Sequence, residues 1–400
     1  MSGPFSGIRI IDLSSVLMGP LATQLLADFG AEVIKVESKD GDMLRGIGPG
    51  RHPGMGAMYL NLNRNKQSVA LDLQSARGRA VLLKLIEKAD VLLFNIRPQS
   101  MARLGLSYEE VKVANPSVIY LGAYGFGQDG SYAARPAYDD LIEGATAIPY
   151  LSERMTGHPS YVPFSIADHM CGMYAAYCLS AALFHRKSTG QGQSIEVPMF
   201  ETMAQTVLTH HLHGKTFVPS MGEAGYPRQI ARNRKPYATR DGHVCTIIVS
   251  DQQWSRAFDI FGRPELKQDI RFKTLKSRTQ YTDDLYEILE ECLGRRTTQE
   301  WVQVFRENDI PVMPMYSLDD LLADQHLREA EFFQQVEHPS EGTLVSMKVP
   351  SKWSVSIPDA HRSPAPRLGQ HTAGVLSECG YTAAEIQELV DSGVVSLDDQ

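Results

Sequence analysis

The sequence predicts an α/β fold, with a doubly wound, mostly parallel sheet in a large domain and a smaller α+β domain attached to it. Three observations predict it. In the first half of the chain, short β-branched runs alternate with helical patterns, the rhythm of parallel strands joined by crossover helices. Beyond Gly214 that rhythm breaks into a stretch of mixed Pro, Gly and Arg, as a linker does. At 400 residues the chain is long enough for a large core and for more than one domain.

Taken in order, strands are expected at Ile8–Leu13, Glu32–Val36, Ser68–Asp72, Val91–Asn95, Val118–Ala123 and Ser194–Val197, each a short apolar run. Helical patterns fall between several of them, notably Leu21–Phe29 and Ser75–Lys88. Met170 to Phe184 carries no charge and reads as a helix interior to a domain, shorter than the roughly 20 residues of a bilayer span. Asp168 stands at its mouth. Another helix starts near Met199 and carries His210, His211 and His213. Residues 216–236 read as a linker and 237–321 as the small domain, with a strand at His243–Val249 and helices near Gln253–Phe261, Asp283–Leu293 and Thr298–Asn308. A return linker, 322–329, leads back to 330–400, which completes the large domain begun by 1–215. There a strand is expected near Thr343–Val349. Two closing helices follow, His371–Cys379 and Thr382–Ser392, the second opened by Thr382 and Glu385 in capping-box spacing.

Composition narrows the function classes. A net charge of −8 offers no dense cationic face for nucleic acid or an anionic membrane. Met-Ser-Gly-Pro-Phe-Ser-Gly at the start lacks the basic flank and apolar stretch of a signal peptide. The cysteines are odd in number, scattered and without a CxxC pair, which suits a reduced, cytoplasmic setting.

Asp168 admits two readings. As a helix N-cap, its carboxylate satisfies free N–H groups at the positive end of the helix dipole. As a nucleophile, it uses the same field to stay ionised and attacks an activated acyl carbon. The two are compatible. A second motif, Gly125-Phe126-Gly127-Gln128-Asp129-Gly130, matches the dinucleotide fingerprint. It follows the fifth strand rather than the first, and Pro136 comes too soon for a phosphate-binding helix. A loop shaping an active-site rim is the better expectation.

Several segments together resemble family III CoA-transferases, the group that contains formyl-CoA and carnitine CoA-transferases. They are Gly7-Ile-Arg-Ile-Ile-Asp-Leu13, Met18-Gly-Pro20, Leu26 through Glu37, Gly41-Asp-Met-Leu-Arg45, Asn63-Arg-Asn-Lys66 and Ser68 through Leu73. Ala89-Asp-Val91, Asn95-Ile-Arg-Pro98, Arg103-Leu-Gly105, Gly125-Phe-Gly-Gln128, Arg135-Pro-Ala-Tyr-Asp139 and Gly190-Gln-Gly-Gln193 continue the series in register. A weaker match at Pro366-Arg-Leu-Gly-Gln-His371 carries it to nearly the whole chain.

The resemblance implies a Rossmann-like large domain, an interlocked ring homodimer, and coenzyme A or an acyl-CoA as substrate, with no tightly bound cofactor and no metal. It puts the nucleophile on Asp168, which would take the acyl group as a mixed anhydride and then CoA as a thioester, for delivery to a small carboxylate acceptor. It also implies that Arg97 and Arg103 contact CoA, that Asn95 and the backbone at Leu17 and Met18 lie near the nucleotide and pantetheine, that Leu71 packs on the adenine, and that Tyr138 lines the acyl pocket. Core packing is an equal reading for Leu71 and Tyr138, and structural pairing for Arg45 and Lys66.

The departures are also informative. Relatives often carry an Arg where this chain has Ser38, which leaves Arg45 or Arg51 as substitutes. Gln99 replaces a usual Gly. The glycine-rich lid of formyl-CoA transferase has no counterpart between Gly214 and Gly242, against oxalate-linked specificity. A 2-methylacyl-CoA racemase of the same fold is the alternative enzyme, disfavoured by Tyr138 where racemases place a His. A non-catalytic acyl-CoA-binding protein is the alternative from another class. The basic stretch Arg228–Lys235 suggests a dicarboxylate acceptor. His210, His211 and His213 do not share one helical face and are read as ordinary surface histidines rather than metal ligands.

Overall fold

A computed structural model describes residues 3–398. The chain begins β1 (Arg9–Asp12), α1 (Met18–Asp28), β2 (Glu32–Glu37), α2 (Ala57–Leu62), β3 (Lys66–Leu71), α3 (Ala76–Ile86), β4 (Val91–Phe94), α4 (Pro98–Arg103), α5 (Tyr108–Ala114) and β5 (Ile119–Tyr124). Next come α6 (Asp139–Ala145), α7 (Ile148–Thr156), α8 (Ile166–Thr189), β6 (Gln193–Pro198), α9 (Met199–His211), β7 (Tyr237–Ala238), β8 (His243–Thr246), α10 (Asp251–Ile260), α11 (Leu275–Gln280), α12 (Thr282–Leu293), α13 (Thr298–Glu307) and β9 (Val312–Pro314). The chain closes with α14 (Leu318–Leu322), α15 (Gln325–Glu329), β10 (Phe333–His338), β11 (Gly342–Met347), α16 (Thr372–Glu378), α17 (Ala383–Asp391) and β12 (Val395–Ser396).

Two compact units emerge. One takes the described residues up to 142 together with 164–204 and those from 327 onward, and the other takes 143–163 and 205–326. The first holds a seven-stranded sheet in the order β12-β3-β2-β1-β4-β5-β6. Neighbours β3 to β6 all pair in parallel, and β12 runs antiparallel to β3. Strand order therefore reverses between β1 and β4, the switch point where such sheets open a crevice at their carboxyl edge. Ile11, Ile34, Val69, Leu92 and Phe94 from the strands pack with Leu82 and Leu85 of α3 and with Leu376, Ile386 and Leu389 of the closing helices. Burial of both faces is why these strands read as nearly continuous apolar runs.

The charged residues inside the same strands are paired. Asp12 and Lys66, both fully buried, form an ion pair at 3.1 Å, and Lys35 meets Asp42 at 2.9 Å. Arg45 grips Glu37 with two nitrogens, at 2.7 and 2.8 Å, and donates to the Tyr59 hydroxyl at 2.6 Å. For Arg45 and Lys66 the structure thus provides the pairing reading.

In the second unit, β7, β8 and β9 form a small antiparallel sheet. Its core gathers Trp254, Phe258, Phe272, Trp301 and Phe305. Capping boxes at Ser250–Gln253 and Thr297–Glu300 start α10 and α13.

Two expectations need correction. The helix at Met170–Phe184 is not buried all round. Its apolar residues split into a buried face, with Cys171, Gly172, Ala175 and Leu179, and an exposed one, with Met173, Tyr174, Tyr177 and Phe184. A run without charges hides this amphipathicity, because both faces are apolar. The helix starting at Met199 ends at His211, so His213 lies outside it, in a short 3-10 turn. His211 Nδ1 accepts the Tyr226 N–H at 3.2 Å, and the His213 ring stacks on Tyr226. No helix among the described residues is long and apolar enough to cross a membrane.

Candidate active site

A cavity of about 630 Å³ opens over the carboxyl ends of the first strands. Leu13 to Ser15 after β1, Lys35 to Met43 at and after the end of β2, Leu71 to Gln74 at and after the end of β3, and Ile96 and Leu104 near β4 line it. This is the edge where a doubly wound sheet offers its loops and helix N-termini to a ligand.

The turn from β1 into α1 forms part of this edge and is held from several sides. Asn95, just past β4, donates from its amide to the Ser15 carbonyl at 2.7 Å and accepts the Ser15 N–H at 3.1 Å, so it bridges the switch point. Asp42 accepts the Val16 N–H at 3.2 Å, while Lys35 donates to the Ser14 carbonyl at 2.8 Å. Asp12 accepts from Ser14 and from the Thr23 hydroxyl. Burial pushes the Asp12 carboxyl up, but Lys66, Lys35 and these hydroxyls pull it down further, to about 2. This frame keeps Val16 at a φ of 67°, a left-handed backbone that a β-branched residue adopts only under constraint. Leu17 and Met18, both buried, follow directly into α1.

Asp168 lies on α8, a helix that packs on α1, and is not among the residues that line this cavity. It is the third residue of that helix, behind an N-cap at Ser165, so it does not cap the helix itself. Four residues on, along the same face, Gly172 meets α1 so closely that a Cβ would stand 2.7 Å from the Met18 carbonyl oxygen. Glycine is required there by contact with backbone, which cannot move aside as a side chain can. Asp168 thus occupies the first turn of the α8 face that packs on the start of α1. Its carboxyl is not held down by the helix field as expected. Burial, reinforced by the nearby Asp139 carboxylate, pushes it up to about 6, with His169 opposing weakly.

The remaining predicted residues divide. Leu71 lines the cavity. Arg97 and Arg103 are exposed at either end of α4, Arg97 donating to the Ala134 carbonyl at 3.2 Å and Arg103 to the Ser100 hydroxyl at 2.8 Å. Tyr138 is 70% exposed, so it does not fill the core. Arg45 and Arg51 do not take the place of the arginine missing at Ser38. The first is consumed by Glu37, and the second donates to the Glu341 and Thr343 carbonyls. Lys39, exposed on the cavity wall and without an ion pair among the described residues, is the available cation there. The glycine loop is likewise committed, since Gly127 and Gln128 give their N–H groups to Glu201 and Glu196, at 3.1 and 3.3 Å. Val16 and Gly172 escaped sequence reasoning, and Asp42 and Asp139 stood in quoted motifs without a role, because their partners are distant in the chain. The Ser38 departure was the one signal pointing toward Lys39.

Comparison with known proteins then adds a name to this geometry. The profile of CoA-transferase family III matches residues 5–372. The chain is similar to succinate–glutarate CoA-transferase of Agrobacterium fabrum, 30% identical with 94% of this chain and 95% of the relative covered. It is also similar to formyl-CoA:oxalate CoA-transferase of Shigella sonnei, 30% identical with 96% and 98% covered. Among solved structures, a CAIB/BAIF family protein from Brucella suis superposes with a TM-score of 0.79 at 27% identity, covering 95% of this chain and 100% of that one.

Proposed function

Because the chain belongs to CoA-transferase family III, we propose that it moves CoA from an acyl-CoA to a small carboxylic acid through covalent intermediates on Asp168. The observation that carries this reading is the Asp168 carboxyl itself: half-buried, in the first turn of α8, one helical turn before Gly172, where that helix packs on Met18 of α1. A carboxyl near 6 is mostly ionised at pH 7, yet more basic than an ordinary aspartate and so a better nucleophile.

The chemistry is a sequence of acyl exchanges without change of oxidation state. An Asp168 oxygen attacks the thioester carbon, the C–S bond breaks, and CoA leaves as thiolate from a mixed anhydride. The thiolate attacks the Asp168 carbonyl carbon, expelling the donor acid and forming an aspartyl-CoA thioester. An acceptor carboxylate attacks that carbonyl and releases thiolate again. Thiolate then attacks the acceptor's acyl carbon, which gives the new CoA ester and returns Asp168 as carboxylate. Thioester energy is conserved throughout.

In this reading Leu71 packs on the adenine, the Leu17–Met18 backbone and Asn95 border the pantetheine and nucleotide, and Arg97 and Arg103 face the phosphates. Lys39 supplies the charge missing at Ser38. Tyr138 borders the acyl group. A dicarboxylate is the acceptor class we favour. The relatives named for glutarate and oxalate support it. Arg232 and Arg234 hold no ion pair among the described residues, whereas Arg228 and Lys235 are bound to Tyr286 and Glu290.

The exposed Met173, Tyr174, Tyr177 and Phe184 face of α8 supports a homodimer, which we take as interlocked. Residues 1–215 and 330–400 serve as its CoA-binding domain and 237–321 as the small one. Five free cysteines suit a reducing, cytoplasmic compartment.

The test is to incubate the protein with succinyl-CoA and a panel of mono- and dicarboxylic acids and to separate the CoA esters by chromatography. A new CoA ester formed in step with free succinate supports the reading. Hydrolysis alone, or α-proton exchange without a new ester, refutes it.

A further inference from the structure

The start of α8 lacks the cap its sequence position calls for. Ser165 is the N-cap, but its hydroxyl accepts no N–H from the first turn. Its carbonyl accepts the first intrahelical bond, from the His169 backbone N–H at 3.1 Å, and lies 2.8 Å from His169 Nδ1. The Asp168 N–H goes elsewhere, to Asp139 Oδ1 at 2.9 Å. Asp139 is the first residue of α6, only 9% exposed, and 29 residues away in sequence. Gly125 seats it. A Cβ at Gly125 would collide with the Ala137 Cβ at 2.2 Å, so only glycine lets the segment leading into Asp139 press against the end of β5.

We infer that Asp139 is the positioning residue for Asp168: it caps α8 from outside, fixes the Asp168 main chain, and places a second carboxylate beside the first. This rests on the reading of Asp168 as nucleophile. An N-cap normally comes from the residue preceding the helix and satisfies one otherwise open N–H group. Drawing the cap from α6 couples two elements at the residue that reacts. It also puts two like charges close together, which makes the less hydrogen-bonded carboxyl the more basic.

The other ionisable groups around Asp168 do not supply this effect. His169, its neighbour on α8, acts in the opposite direction. The Cys171 thiol is pushed up to about 12 by burial and by Asp168 itself, so it stays neutral. Across the contact with α1 the facing groups are the Met18 carbonyl and Leu21, neither ionisable. Strands β5 and β6, also packed on α8, present Tyr124 and Glu196, which bond to each other. Of the other acids on α6, Asp140 is exposed and Glu143 is buried, and neither acts on Asp168.

The test measures single-turnover formation of the Asp168 adduct from an acyl-CoA, without acceptor, as a function of pH in the wild type, Asp139→Asn and Asp139→Ala. Asn keeps the accepting oxygen and removes the charge, so its acid limb should move down by about one pH unit. Ala removes both and should lower the plateau by roughly tenfold or more, with Asn recovering most of that loss. Should Asp139→Ala fail to fold, the near-isosteric Asn variant still decides the question. Coincident pH profiles for wild type and Asn, with an adduct mapped to Asp168 in both, would overturn the role of Asp139 and leave the nucleophile standing. No Asp168 adduct in the wild type would overturn both.

Discussion

At Asp168 two electrostatic effects oppose each other. The N-terminal field of α8 favours an anion by about 0.3–1 kcal/mol at a site of this kind. Burial and the Asp139 charge favour the neutral acid and win, because the carboxyl moves from 3.8 up to about 6. The folded protein then holds this proton more tightly than the unfolded chain between about pH 4 and 6. Stability contributed at this site therefore falls as pH rises through that window, and the cost is complete above it. Asp168→Asn should accordingly stabilise the fold at pH 7 to 8 by about 2 kcal/mol, allowing for partial exposure, and by nearly nothing at pH 4. The same variant should lower transfer by roughly 10³-fold or more. Denaturant melts at the two pH values, with rates on the same samples, check both. The sequence singles this residue out, through an acid at a helix start and the surrounding motifs. The direction of its shift was not, because burial and the partner at Asp139 exist only in the folded chain. Arg45 teaches the same lesson. As a sequence residue it is a cation available for phosphate, whereas in the fold Glu37 and Tyr59 have taken it.

The strands were the most legible elements. β1 to β6 fall within a residue or two of the expected runs; β1 to β5, buried on both faces, carry their signal in composition, whereas the edge strand β6 has exposed residues at Ser194 and Glu196. The first turn of α8 was misjudged for the opposite reason, because its cap comes from another element. Element contacts make two predictions. Gly172→Ala places a methyl 2.7 Å from the Met18 carbonyl and should force α8 off α1. We expect a loss of about 1–3 kcal/mol in stability and a fall in kcat larger than any rise in KM, since Asp168 lies one turn away. Asp12→Ala should act through β1 and β3. It leaves the fully buried Lys66 without its counter-ion, at a cost of about 3–5 kcal/mol measured by chemical denaturation. A shift of less than 1 kcal/mol would mean that the network reorganises around the missing acid.

For the whole molecule, the sequence conveyed six of the seven strands of the large sheet and the family, because these rest on patterns spread along the chain, but not the two-residue strand β12 or the antiparallel pairing of β7, β8 and β9. It did not convey that α8 turns an apolar face outward, since a uniform run of apolar residues has no visible sidedness. If that face is a homodimer interface, Tyr177→Asp combined with Phe184→Asp should halve the mass measured by light scattering, while Lys84→Ala on α3 leaves it unchanged. An unaltered mass in the double variant would remove this face from the interface. The central claim, covalent transfer through Asp168, is tested most directly by the mass of the intact protein after brief mixing with an acyl-CoA, followed by hydroxylamine or borohydride trapping and peptide mapping. The account predicts a mass change that maps to the peptide containing Asp168 and is absent in Asp168→Ala. Sustained transfer of CoA by Asp168→Ala, or a trapped adduct on any other residue, would contradict it.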